Sequence, residues 1–279
     1  MRFMKLAGCG NDFVIVEAGD ATGSASLAEL ARALCDRTTG IGADGLALIE
    51  PSRGDEDFQV RIANADGTEA EMSGNGGRCI ARYALGAGLA GPSMVFSTLA
   101  GPVAANVDGP WVDLTMPEPR DLDLYCRIDL EGRKIELHRV NTGVDHVVLF
   151  EDRVEEVDVL GLGQGIRRHP SFEPRGVNVN FVSVRPDRLV VRTYERGVEG
   201  ETQACGTGCV AAAVVAAALD RGRSPTAVEV RSGDRLVVSF TIQEKRFTKV
   251  VLGGPTEFIC DGTVAAEFLH RRGLSPHAV

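Results

Sequence analysis

The chain has 279 residues, of which 44% are apolar and 25% are charged, and its formal net charge is −9. This length is sufficient for two domains, each with its own hydrophobic core. The acidic balance argues against an extended nucleic-acid surface, and no uncharged apolar stretch reaches the roughly 18 residues that a membrane-spanning helix needs. We therefore expect a globular protein with no nucleic-acid partner and no membrane partner.

The seven cysteines are an odd number and include no Cys-x-x-Cys pair. The N-terminal residues reach Asn11 and Asp12 too early for a secretion signal, so we expect a cytoplasmic chain with reduced thiols. The five histidines form no ligand-spaced cluster with the cysteines, and no phosphate loop or dinucleotide fingerprint is present. We therefore expect neither a metal nor a cofactor.

The first half of the chain predicts short strands interrupted by two helices. Residues Ser26–Cys35 form an amphipathic pattern with Ser24 or Ser26 as the N-cap. A glycine-rich turn, Met72-Ser73-Gly74-Asn75-Gly76-Gly77-Arg78-Cys79, leads into a second, nearly apolar helix that ends at about Gly86. Strands are expected at residues 3–6, 13–16, 46–49, 58–64, 94–97, 101–107 and 112–117.

The second half, after the predicted boundary at Pro117-Glu118-Pro119, follows a similar order. The turn Cys205-Gly206-Thr207-Gly208 leads into a helix that ends at Leu219 and has no polar face, which is typical of a helix buried on all sides. A short helical stretch is expected at 160–168, and strands at 135–142, 147–150, 177–186, 188–193, 228–231, 235–242, 247–253 and 264–269.

This repeated order predicts an internal duplication within the α+β class. We expect two pseudo-symmetric domains, each a curled, mainly antiparallel, barrel-like sheet around a central apolar helix. The predicted domains are residues 1–117 together with about 264–279, and residues 118–263. The active site is expected in the cleft between them, where the N–H groups of two helix N-termini would hold one carboxylate.

Each glycine-rich turn opens with a small nucleophilic side chain, which suits removing a proton from one face of a carbon and returning it on the other. Cys205 is the strongest candidate because a helix N-terminus is expected to lower the pKa of a thiol. The alternative is a buried structural cysteine before a tight turn. Glu195 and Arg196 form either a surface ion pair or a proton-transfer partner and a carboxylate clamp. We favour the second interpretation because they precede the Cys205 turn.

Four motifs together resemble the diaminopimelate epimerases. They are Gly8-x-Gly10-Asn11-Asp12-Phe13, Asn64-x-Asp66-Gly67-x-x-Ala70-x-Met72-Ser73-Gly74-Asn75-Gly76-x-Arg78, Tyr194-Glu195-Arg196-Gly197 and Gly200-Glu201-Thr202-x-Ala204-Cys205-Gly206-Thr207-Gly208. The resemblance implies a cofactor-independent two-base epimerase that interconverts LL- and meso-diaminopimelate in the lysine and peptidoglycan pathway. It implies diaminopimelate as the small-molecule partner and is consistent with a homodimer.

The resemblance also implies residue roles. Cys205 would exchange the α-proton on one face, with Ser73 at the position of the opposite nucleophile. Glu195 and His146 would assist proton movement, although a lone strand histidine is more often structural. Asn64, Asn178 and Arg196 would hold the distal end of the substrate, with Asn11 nearby. The remaining substrate-binding residues would be those of the two turns: Gly74, Asn75, Gly76, Gly206 and Thr207.

Two departures from the family pattern affect this interpretation. Ser73 stands where the family has cysteine, and Val144-Asp145 stands where it often has Asn-Pro. A hydroxyl is a poor base because its pKa lies far above that of a thiol. Ser73 is an introduced substitution, a natural serine in a branch that still epimerises, or the sign of a changed reaction. The alternative functions are a racemase, epimerase or dehydratase of another amino acid, and a catalytically silent amino-acid-binding homologue.

Overall fold

The computed structural model describes residues 1–20 and 25–274, which combine mixed sheets with helices and so confirm the α+β class. The chain divides into two compact units, Met1–Leu114 with Pro255–Val279, and Thr115–Gly254. No helix within the described ranges has the length and apolar character needed to cross a membrane.

The elements follow one another as a series of short strands with few helices. The first are β1 (Arg2–Gly8), β2 (Asn11–Glu17), α1 (Leu27–Leu34), β3 (Gly45–Pro51), β4 (Phe58–Asn64), β5 (Glu69–Ala70), α2 (Gly74–Gly86), β6 (Ser93–Thr98), β7 (Gly101–Asp108) and β8 (Trp111–Thr115). Then come β9 (Arg120–Leu130), β10 (Arg133–Asn141), β11 (Asp145–Phe150), α3 (Val159–Arg167), β12 (Asn178–Val184), β13 (Leu189–Glu195), β14 (Gly200–Thr202), α4 (Gly206–Ala218), β15 (Thr226–Glu229), β16 (Arg235–Gln243), β17 (Arg246–Pro255), β18 (Glu257–Thr263) and α5 (Ala266–Arg271).

The strands of the first unit pair mostly with their sequence neighbours. Strand β1 lies antiparallel to both β18 and β2, and β2 lies parallel to β3. Strand β4 pairs antiparallel with β3 and β5 and parallel with β6, and β6, β7 and β8 form an antiparallel meander. Helix α2 contacts β1, β2, β3 and β7 and buries Cys79, Ile80, Ala81 and Ala84. It is therefore the core helix of this unit.

The second unit has the same pairing order. Strand β10 pairs antiparallel with β9 and β11, β11 lies parallel to β12, and β13 pairs antiparallel with β12 and β14 and parallel with β15. Strands β15, β16 and β17 complete an antiparallel meander. Helix α4 contacts β10, β11, β12, β13, β15 and β16, and its residues from Cys209 to Ala216 are fully buried. The prediction that this helix is buried on all sides is confirmed.

Sequence and structure differ at the end of the chain and in four strands, of which β5 and β14 have only two and three residues. The predicted strand at 264–269 is wrong, because this segment begins a helix, α5, whose Leu269 packs in a core cluster with Val264. Strands β9 and β18 were not predicted, since most of their side chains are exposed or half-buried. Ser26 caps α1 with a reciprocal bond to Glu29, while Ser24 lies outside the described residues.

Candidate functional site

Ser73 is the N-cap of α2 in the first unit. Its Oγ accepts a hydrogen bond from the Gly76 N–H at 3.1 Å, and its carbonyl oxygen accepts one from the Gly77 N–H at 2.7 Å. Serine is a preferred N-cap because its short side chain reaches a first-turn donor. The turn Gly74-Asn75-Gly76 thus lies at the positive end of the helix, where backbone donors favour an anion.

The side chain of Arg78 is hydrogen-bonded to the turn Gly74-Asn75-Gly76. Its side chain is fully buried, and its guanidinium donates to Asn75 Oδ1 at 2.8 Å, to the Gly74 carbonyl oxygen at 3.3 Å and to Cys9 Sγ at 3.2 Å. The sequence interpretation gave Arg78 no role. The available signal was an arginine in the first turns of a mostly apolar helix, which points to a buried, hydrogen-bonded charge.

Asn11 and Asn64 lie on β2 and β4, the two strands that flank β3, and at the same end of them. Asn11 opens β2 and Asn64 closes β4, and the register pairs Gly45 of β3 with both Phe13 and Asn64. Asn11 Nδ2 donates to Asp44 Oδ2 at 2.6 Å, which fixes its side chain. Asn64 is exposed, and its Nδ2 donates to Thr68 Oγ1 at 2.9 Å.

Cys205 is the N-cap of α4 in the second unit and is 6% exposed. Its side chain makes no capping hydrogen bond, in contrast to Ser73. The sulfur lies 3.5 Å from Thr207 Oγ1, and the nearby carboxylate of Glu195, the last residue of β13, acts electrostatically on the thiol. The structure therefore brings together the predicted nucleophile and its predicted acid–base partner.

The expected lowering of the Cys205 pKa is wrong for the free protein. Burial raises the pKa of the thiol, and the negative charge of Glu195 raises it further. The hydroxyl of Thr207 and the nearby N–H of Gly208 lower it, but by less. Burial also raises the pKa of Glu195. Both effects favour the protonated thiol in the free protein, with the Glu195 carboxyl group beside it.

His146 is fully buried in β11 and faces the Cys205 turn through Thr207. Its Nε2 lies 2.9 Å from Thr207 Oγ1, and its Nδ1 lies 3.1 Å from Asn180 Nδ2. Burial lowers the pKa of His146 to about 3, although the neighbouring Asp145 opposes this. The imidazole is therefore neutral at physiological pH.

The side chain of Asn178 is hydrogen-bonded to the backbone of Arg196. Asn178 Oδ1 accepts a hydrogen bond from the Arg196 N–H at 2.7 Å, and the Arg196 guanidinium lies 3.5 Å from the carbonyl oxygens of Arg175 and Gly176. Glu195 and Arg196 form no ion pair with each other, although both belong to the described ranges, so their interpretation as a surface ion pair is wrong. Within residues 1–20 and 25–274, no cluster of His, Cys, Asp or Glu is arranged to hold a metal ion.

Asn180 and Thr193 are polar residues of this network that the sequence interpretation missed. Both are buried, and Thr193 Oγ1 donates to Asn180 Oδ1 at 3.0 Å. The available signal was an asparagine between Val179 and Phe181 in an otherwise apolar strand, because a buried polar residue usually has a specific partner.

Solved structures that share this two-unit α+β fold include a probable proline racemase and a phenazine biosynthesis protein. A probable proline racemase from Agrobacterium radiobacter K84 has a TM-score of 0.71 at 19% identity, covering 98% of this chain and 95% of that chain. A PhzF-family phenazine biosynthesis protein from Bacillus anthracis also has a TM-score of 0.71, at 12% identity, covering 95% of this chain and 99% of that chain. At these identities the likeness concerns the fold alone.

Sequence comparison is more specific. The diaminopimelate epimerase family model matches residues 3–119 and 139–258. The diaminopimelate epimerase of Aquifex aeolicus (strain VF5) is 40% identical over 96% of this chain and 99% of its own length. That of Psychrobacter sp. (strain PRwf-1) is 35% identical over 99% of both chains. The chain belongs to the diaminopimelate epimerase family.

Proposed function

We propose that this chain is a diaminopimelate epimerase, an isomerase that interconverts LL- and meso-diaminopimelate without pyridoxal phosphate. Membership of the family supports this activity. The observation that carries the chemistry is the Cys205 thiol at the start of α4, on which the nearby Glu195 carboxylate acts electrostatically. A thiol with an adjacent base can exchange a proton with an activated carbon.

The proposed reaction begins with transfer of the Cys205 thiol proton to Glu195. This transfer conserves the charge of the pair and leaves a thiolate beside the Thr207 hydroxyl. The thiolate then takes the α-proton: an S–H bond forms, the C–H bond breaks, and the electron pair stays on the α-carbon and its carboxylate. A proton delivered to the opposite face completes the inversion, and the reverse reaction uses Cys205 as the acid.

Substrate binding is assigned from the family resemblance. We propose that backbone donors of the two turns, at Gly74, Asn75, Gly76, Gly206 and Thr207, stabilise the carboxylate as charge develops on it. Asn64, Asn178 and Arg196 would hold the distal amino-acid end, with Asn11 nearby. His146 would assist proton movement through Thr207.

Ser73 is the proposed group on the opposite face, either directly or through a bound water. Its Oγ accepts the Gly76 N–H, and the hydroxyl keeps its own proton near neutral pH because the pKa of a hydroxyl lies far above that of a thiol. This arrangement supports a weak acid more than a base. The three explanations for Ser73 therefore predict different rates from the two stereoisomers.

The test is α-proton exchange in D₂O, followed by NMR separately on LL- and meso-diaminopimelate, for this chain and for Ser73→Cys. Substantial formation of the other isomer by this chain would make Ser73 a working member of the pair. If exchange is confined to one isomer or absent, and Ser73→Cys restores interconversion, one base is disabled. If neither protein acts on either isomer, the substrate is another amino acid or the chain is a silent binding homologue.

Cys205→Ser is the negative control for this experiment and should abolish all α-proton exchange. Cys209→Ala is the matched control, because Cys209 lies one turn later on α4 and is fully buried. It should keep exchange, since this thiol belongs to the helix core.

We also propose features of the fold, location and assembly that rest on the sequence pattern and on the resemblance. The strands of each half would curl around its core helix, with the halves at 1–117 plus 264–279 and 118–263. The chain would act in the cytoplasm as a homodimer. Light scattering across a range of protein concentrations tests the dimer, and a monomeric mass throughout would contradict it.

A further inference from the structure

We propose that Asn180 is a positioning residue that fixes the tautomer of His146 and thereby directs the hydroxyl proton of Thr207 towards the sulfur of Cys205. The free protein already contains the whole hydrogen-bond network. Only its consequence for turnover rests on the proposed function.

The orientation of the Asn180 amide is set by its surroundings. The atom assigned as Nδ2 lies 2.9 Å from the Val147 carbonyl oxygen, which can only accept a hydrogen bond. The opposite orientation would place two oxygens against each other. The amide oxygen accepts from Thr193 Oγ1 at 3.0 Å. Asn180 is 0% exposed and Thr193 is 4% exposed, so these protein groups fix the amide in a dry environment.

The second hydrogen of Asn180 Nδ2 then determines the protonation of the imidazole. It points to His146 Nδ1 at 3.1 Å, so this nitrogen must be the acceptor. In a neutral histidine the hydrogen is therefore on Nε2, which lies 2.9 Å from Thr207 Oγ1 and donates to it.

The tautomer of His146 determines which way the Thr207 hydroxyl proton points, and so whether Thr207 can donate to Cys205. Because its hydroxyl oxygen accepts from His146, its single hydroxyl proton is available for the Cys205 sulfur at 3.5 Å. Thr142 Oγ1 donates to the Thr207 carbonyl oxygen and so does not compete for the hydroxyl. The hydroxyl donor lowers the pKa of the thiol. The opposite tautomer would turn the Thr207 proton towards His146 and remove this donor.

Gly208 makes room for the amide at the start of α4. A Cβ at this position would clash with Asn180 Oδ1 and lie 3.3 Å from Cys205 Sγ. Any larger residue would displace the amide or crowd the sulfur. The glycine therefore serves the packing of Asn180 as well as the glycine-rich turn.

The test is the tautomer of His146, measured by ¹⁵N NMR on the ¹⁵N-histidine-labelled full chain without substrate and assigned with His146→Gln. We expect an unprotonated Nδ1 and a protonated Nε2 at neutral pH. In Asn180→Asp the group facing Nδ1 becomes an acceptor, so Nδ1 should gain the hydrogen. If that variant does not fold, Asn180→Ala should give a mixture of tautomers.

Thr193→Val is the matched control, because it removes the bond to Asn180 Oδ1 and leaves both Nδ2 donors in place. It should keep the original tautomer even if the protein becomes less stable. For turnover of diaminopimelate, Asn180→Asp should lower kcat about tenfold or more while KM stays nearly constant, since Asn180 acts through other residues.

A hydrogen on Nδ1 in the unmodified chain, or an unchanged tautomer in both Asn180 variants, would overturn the proposal. So would loss of the tautomer in Thr193→Val with wild-type behaviour in Asn180→Asp. If the expected tautomers are found but no isomer of diaminopimelate exchanges its α-proton, the proposed function fails and the positioning role stands.

Discussion

Glu195 and Cys205 influence each other's proton affinity. Burial raises the pKa of both groups, and the carboxylate charge raises that of the thiol. A helix N-terminus alone would favour a permanent thiolate, as the sequence suggested. Burial and the neighbouring carboxylate instead keep the sulfur protonated as a thiol, and the carboxylate is an acceptor for its proton. Catalytic competence at Cys205 therefore depends on Glu195 as much as on the helix.

Glu195→Gln should lower the rate of α-proton exchange about 100-fold, because an amide cannot take up the thiol proton. Exchange of diaminopimelate in D₂O, followed by NMR, measures this. Glu199→Gln is the matched control: Glu199 lies in the following turn, where it pairs with Arg167 at 3.0 Å. Wild-type exchange in Glu195→Gln would show that another group accepts the proton.

The same substitution should stabilise the protein at neutral pH. Because the folded pKa of Glu195 is raised, the folded state binds more protons than the unfolded state between the two pKa values. This contribution to stability therefore falls as pH rises through that window and stays low above it. In urea unfolding, Glu195→Gln should gain free energy of unfolding relative to the unmodified chain near neutral pH and lose that gain in acid. An equal difference at both would contradict the prediction.

Helices α2 and α4 begin with similar glycine-rich turns but are capped differently. Ser73 Oγ bonds the Gly76 N–H at 3.1 Å, whereas the Cys205 side chain makes no capping bond. Oxygen is a good acceptor for a first-turn N–H, and sulfur is a weak one. Ser73 thus contributes to the stability of α2 while Cys205 is oriented by Glu195 and Thr207.

Ser73→Cys should lower the free energy of unfolding by about 0.5–1 kcal/mol, because the thiol replaces a good N-cap. Cys205→Ser should cost no stability, since the new hydroxyl can cap α4. Urea unfolding of both variants measures the two effects. A more stable Ser73→Cys protein would mean that the Ser73 cap contributes nothing. The comparison also separates any gain of exchange in Ser73→Cys from a gain of stability.

Sequence patterns predicted best those elements whose side chains are buried. The boundaries of β4 and the end of α2 matched the structure, and α4 was correctly predicted as buried. Strands β9 and β18 were not predicted, because backbone pairing with β10 and β1, rather than apolar alternation, places them in the sheet. Such long-range pairing leaves little trace in local sequence.

The candidate site was predictable to a similar extent. Cys205 and Glu195 were identified from the motif around a helix N-terminus, and in the structure the Glu195 carboxylate acts electrostatically on the Cys205 thiol. The network of Asn180 and Thr193 was not identified, because it depends on which strands neighbour α4. The direction of the Cys205 pKa shift was wrong for the same reason: burial and a facing carboxylate are tertiary properties.

At the scale of the whole molecule, the two units share one order of strand pairing but bury different polar side chains. The first buries Arg78 beneath its glycine-rich turn, and the second buries neutral His146 beneath the other. A buried arginine stays charged, whereas a buried histidine can be charged only by disrupting its surroundings. The second unit should therefore be the more acid-sensitive part of the protein.

The lowered pKa of His146 determines how the free energy of unfolding changes as the pH falls. Its folded pKa of about 3 lies below the value of about 6.5 expected for an unfolded histidine, so the unfolded state binds more protons between them. The stability it contributes is fully present above the unfolded pKa and is lost as pH falls, by at most about 1.4 kcal/mol per pH unit. His146→Gln should flatten this slope in urea unfolding measured between about pH 7 and about pH 5. His270→Gln, at an exposed position in the other unit, should leave the slope unchanged. If the free energy of unfolding changes equally with pH in His146→Gln and in the unmodified chain, the acid sensitivity comes from the carboxylates alone. His146 is then not held neutral by the fold.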